Sequence, residues 1–104
     1  MIPLYCFKLD EFTGKISREV IEEYHTVHPS TYVPNKVIYK YKCKQNGCDI
    51  RGENIDKFVN WKVYTFIDDI DRVRNIILDN LTMRHTQAQI DVQRFSAVIE
   101  RMRG

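Results

Sequence analysis

A stripe of ten positions, apolar except at His85, runs through the last third of the chain: Ile70, Val73, Ile77, Leu81, His85, Ala88, Val92, Phe95, Ile99 and Met102. Its steps of three and four average close to the helical period. Asp68 or Asp69 can accept hydrogen bonds from the free N–H groups of a helix start, and Asp71 suits the dipole of the first turn. The stripe weakens at "TMRHTQAQ", but no Gly or Pro occurs from Glu53 to Arg103, which favours one continuous helix over two. At ~1.5 Å per residue such a helix is about 50 Å long. The first 67 residues are too few to cover it, so it must protrude, pack on a second chain or fold back. Arg84, Asp91 and Arg94 read as seam positions, so a strict heptad is not expected. A long parallel zipper is disfavoured, and a shorter antiparallel contact is open. The uncovered stripe predicts a homodimer with Phe95, Ile99 and Met102 in the contact.

The front half alternates instead. In "IPLYCFKL", Leu4, Cys6 and Lys8 share one face and Tyr5, Phe7 and Leu9 the other, as in a strand buried on both sides. "DEFTGK" supplies turn chemistry, with Gly14 able to take positive φ. "ISREVIEEYHTV" fits helical or strand spacing, and the short Gly14 turn favours a strand in a hairpin. "VIYKYKCK" is a strand with Val37, Tyr39, Tyr41 and Cys43 inward and Ile38, Lys40, Lys42 and Lys44 outward. "NIDKFVNW" reads as a short helical turn. "WKVYTFI" reads as the last strand, with Trp61, Val63 and Thr65 on one face. The expected fold is α+β: an antiparallel sheet of three to four strands followed by a long C-terminal helix packed across it. A chain of 104 residues is one domain, strand-rich over 1–67 and helical over 68–104.

Charge refines this picture. All lysines lie at or before Lys62, and from Asp68 onward six arginines balance six carboxylates. Net charge is +2, well short of a dedicated nucleic-acid binder. The N-terminus lacks a signal-peptide pattern, and no apolar run approaches a membrane span. Three cysteines, an odd number, fit reduced thiols and a cytoplasmic protein.

Candidate chemistry is sparse. His25-x-x-His28 with Cys43-x4-Cys48 is a possible zinc set, but its spacing is poor, and no metal or other cofactor is expected. "DDID" is explained by helix capping. There is no phosphate loop, nucleophile elbow or H-E-x-x-H, so an enzyme is not expected. Lys36, Lys40, Lys42 and Lys44 with Tyr39 and Tyr41 raise nucleic-acid binding, yet alternation sets lysines and tyrosines on opposite faces. Those lysines also suit an edge strand protected from pairing. For a protein partner, charge on Lys40, Lys42 and Lys44 would tune encounter, with Tyr32, Arg51 and Trp61 as anchors.

"YCFKLDEFTGKI" at 5–16, "TYV" at 31–33, "VYTFIDDIDRV" at 63–73 and the long terminal helix together resemble small proteins carried by phages and mobile elements of Firmicutes. Some of those are anti-CRISPR inhibitors. The resemblance is one of layout and assigns no residue roles. It implies a non-catalytic protein-binding module that inhibits a host nucleic-acid enzyme such as a Cas nuclease. The alternative is a small nucleic-acid-binding regulator.

Overall fold

The structure, a computed structural model, describes residues 2–28, 37–42 and 48–103. Among them the order is β1 (Leu4–Leu9), β2 (Ile16–Ile21), β3 (His25–Val27), β4 (Ile38–Tyr41), β5 (Cys48–Arg51), a 3-10 turn (Gly52–Asn54), β6 (Phe58–Val59), β7 (Lys62–Thr65) and α1 (Ile70–Arg103). The architecture is α+β, but the strands form two antiparallel sheets rather than one. The first has the order β2-β1-β7-β6 and the second β3-β4-β5.

Alternation along β1 explains the layering. Phe7 packs with Phe58, Val63, Val73 and Ile77 on the face that meets the helix. Leu4 and Cys6 pack with Ile21 and Ile50 on the opposite face, where Tyr24, Tyr39, Tyr41, Tyr64 and Phe66 surround them between the two sheets. The first sheet therefore lies between the start of α1 and the second sheet. Burying a side chain of Phe or Leu size stabilises by roughly 1.5–3 kcal/mol, so β1, apolar on both sides, anchors both interfaces. The Tyr41 and Tyr64 hydroxyls meet at 3.0 Å and tie the sheets together. Burial, then that contact, pushes the Tyr64 hydroxyl well above the ordinary tyrosine range.

The stretch 16–27 is extended, as β2 and β3. Tyr39 and Tyr41 face inward as the alternation required. β4, however, is the central strand of its sheet. The edge-protection role for its lysines is thus not available to it, because β3 and β5 pair with both of its sides. The helical turn falls a few residues early, at Gly52–Asn54, and Phe58–Val59 pairs with β7 instead.

Asp69 starts α1: its Oδ1 accepts from the N–H groups of Asp71 and Arg72 at 3.1 and 3.3 Å. Asp68 instead accepts two bonds from the Arg18 guanidinium, at 2.7 and 2.6 Å. The helix is continuous over 34 residues, through "TMRHTQAQ". Only Val73 and Ile77 on it are fully buried. It packs on the sheet through its first turns and protrudes beyond Leu81, one of the three outcomes that its length left open.

Candidate functional site at the hairpin tips

The turn from β1 to β2 is held by Asp10. Its Oδ1 accepts from the N–H groups of Phe12 (2.8 Å) and Thr13 (3.2 Å), its carbonyl accepts from Gly14 N–H (2.8 Å), and its own N–H donates to the Lys15 carbonyl (2.9 Å). Gly14 takes φ +71°, where a residue without Cβ is unstrained. The tight turn throws Phe12 outward, leaving it 91% exposed.

The turn from β6 to β7 has two residues, Asn60 and Trp61, between the facing pair Val59 and Lys62. Both have positive φ, 53° and 63°. This is the backbone of a type I′ turn, whose second central position ordinarily takes Gly. Trp61 there is a genuine outlier, costing about 1–3 kcal/mol. Its carbonyl accepts from Leu9 N–H at 2.9 Å, and its ring meets Phe58 edge-on at 5.8 Å. The indole remains 41% exposed.

Because β1 and β7 are neighbours, the two tips meet at one end of the first sheet. Phe12 and Trp61 line one hollow with Lys8, Lys15 and Lys62, beside Asp10 and Glu11. Lys8 and Lys62 are directly opposed across the β1–β7 ladder. Like charges so placed destabilise a sheet. Exposed aromatics beside facing cations form a surface suited to an acidic or π-rich partner.

Of the described residues expected to bind a partner, Trp61 alone lies here, in the turn rather than on a strand face. Lys40 and Lys42 line a separate hollow with Glu19, Glu22, Glu23, His25 and Asp49, and Lys40 pairs with Asp49 at 3.8 Å. That surface is of mixed charge, not a basic face. Arg51 is exposed on β5 with Glu53 at 3.7 Å. Tyr32, Lys36, Cys43 and Lys44 lie outside the described residues. Phe95, Ile99 and Met102 are exposed on the overhang of α1.

Cysteine chemistry also departs from the expectation of reduced thiols. Cys48 is disulfide-bonded, so its sulfur is not a thiolate ligand. Cys6 is free and buried. Burial pushes its thiol up despite a hydrogen bond with Tyr64, which suppresses the nucleophilic thiolate. Among the described residues no three His, Cys, Asp or Glu side chains are grouped to hold a metal ion, and no helix is long and apolar enough to cross a membrane.

The fold and the hollow together define a two-sheet α+β protein with an aromatic, lysine-flanked tip. Compared with family models, curated proteins and solved structures, the chain has no match.

Proposed function

We propose that this chain is a non-catalytic protein-binding module whose contact surface is the hairpin-tip hollow. The observation that carries the reading is Trp61, held exposed in a left-handed conformation that folding alone does not favour. Phe12 beside it adds a second aromatic anchor, and Trp in particular dominates binding hot spots. Lys8 and Lys62 give the partner an acidic character, since an acidic group between them relieves their repulsion. The resemblance to phage-carried proteins directs the search to host nucleic-acid enzymes, such as a Cas nuclease, in the cytoplasm. Inhibition would follow from occupying a surface that the enzyme needs.

One observation favours the second reading, a nucleic-acid-binding regulator. Around this hollow, unlike on β4, lysines and aromatics stand together, as stacking and phosphate contact require.

A photo-crosslinking residue at position 11, which lines the same hollow, tests both readings in host cells. One protein should be captured by the otherwise wild-type chain, and its affinity should fall at least about tenfold with Trp61→Ala. Equal capture with and without Trp61 would remove the hollow from the binding surface. If instead an oligonucleotide binds with steep salt dependence, and Lys8→Glu and Lys62→Glu abolish that binding, the regulator reading stands.

A further inference from the structure

Burial separates two apolar series on α1 that the stripe had merged. Val73 and Ile77 face the sheet and are buried. Leu78, one residue on, is 52% exposed. Counted from Leu78, apolar positions alternate by three and four: Leu78, Leu81, His85, Ala88, Val92, Phe95, Ile99 and Met102. This is a coiled-coil seam, interrupted only by His85. Arg84 and Asp91 flank the seam on one side, one heptad apart, and Arg94 lies off it. The expectation that they break a heptad took the stripe through Ile77, which belongs to the core.

We infer that this seam is the interface for a second copy of the chain, packed antiparallel. It spans about 36 Å at ~1.5 Å per residue. Apart from Leu81, which is half-buried, its members are exposed, Met102 at 82%. Alignment about the midpoint of α1, between Thr86 and Gln87, sets Leu78 against Phe95 of the second copy, Leu81 against Val92 and His85 against Ala88. Two-fold symmetry repeats each layer. The same alignment brings Arg84 beside Asp91 of the second copy, twice. Parallel alignment would set Arg84 against Gln89 and Asp91 against Ser96, with no ion pair. Charge complementarity therefore selects the antiparallel pair. Ile99 and Met102 then run past the layers, level with Arg74 and Asp71 of the second copy. The inference does not depend on the hairpin-tip reading.

Light scattering and sedimentation equilibrium on the full chain test it. The wild-type protein should be a dimer and Phe95→Asp a monomer, with the near-ultraviolet signal of Trp61 unchanged. Arg84→Asp and Asp91→Arg should each weaken dimerisation by about tenfold, because each creates two like-charge contacts. The double variant should recover to within about threefold of wild type. Asp91 also contacts Gln87 (3.0 Å) and Arg94 (3.7 Å) along its own helix, so helix content is read by circular dichroism in every variant. A wild-type monomer at the highest attainable concentration overturns the inference. So do single reversals without effect, as a parallel dimer gives, and a double variant that fails to recover.

Discussion

Trp61 concentrates two opposing effects in one residue. Its backbone is strained at φ 63°, while its ring contact with Phe58 contributes about 0.5–1.5 kcal/mol. Trp61→Ala removes the contact and keeps most of the strain. Trp61→Gly removes both, since Gly enters the left-handed region freely. Trp61→Gly should therefore be the more stable of the two by about 1 kcal/mol in denaturant unfolding. Equal stabilities would mean that the turn is not left-handed at this position. Both should lose partner binding alike, because the indole is absent from each. Lys8 and Lys62 behave in the same spirit: each is tolerable alone, and only their facing placement singles them out.

The junction between α1 and the first sheet is held by a polar cluster under its first turn. Arg72 donates to Asp56 (2.9 Å) and to the buried Thr65 hydroxyl (3.3 Å), and Thr65 also accepts from Ile67 N–H (3.1 Å). Burial pushes the Asp56 carboxyl up, but hydrogen bonds from Thr65 and Arg72 outweigh it and hold the carboxyl below the usual range. A depressed folded value means that the unfolded chain binds the proton more readily. The contribution is complete above the ordinary carboxylate value of about 4 and is lost as pH falls through the lower folded value. Asp56→Asn should thus be less stable than wild type at neutral pH, and the gap should narrow below about pH 4 in urea titrations at stepped pH. A gap independent of pH would show that the carboxylate charge is not what Arg72 and Thr65 recognise. The elements that this cluster joins differ in how far they could be read from the chain. The helix and its aspartate start were legible because a long 3.6-residue period has few alternatives. So were both faces of β1. The β6–β7 hairpin was not: Phe58–Val59 is too short to show alternation, and Trp stands where Gly would have signalled the turn. Whether β4 is central or at an edge depends on which strands meet, which no local pattern carries. The hollow was illegible for a related reason, because it joins two turns far apart in sequence through the pairing of β1 with β7.

At the scale of the molecule, the overhang of α1 dominates. The radius of gyration is 18.6 Å, against about 13 Å for a compact chain of 100 residues. A helix without tertiary cover has little beyond local propensity to hold it. In hydrogen exchange read at two protein concentrations, amides of residues 88–103 should be protected more strongly in the concentrated sample. Those of residues 70–77 should change less, since Val73 and Ile77 anchor these turns to the sheet in either state. Protection independent of concentration throughout would remove the overhang as an assembly surface. The principal extents of 63 × 39 × 25 Å also govern how the particle moves through a solvent. A rod-like body experiences more drag than a sphere of equal mass and reorients more slowly about its short axes. On a sizing column a single chain should emerge early, at the position of a larger globule. Retention volume alone would then mistake shape for stoichiometry.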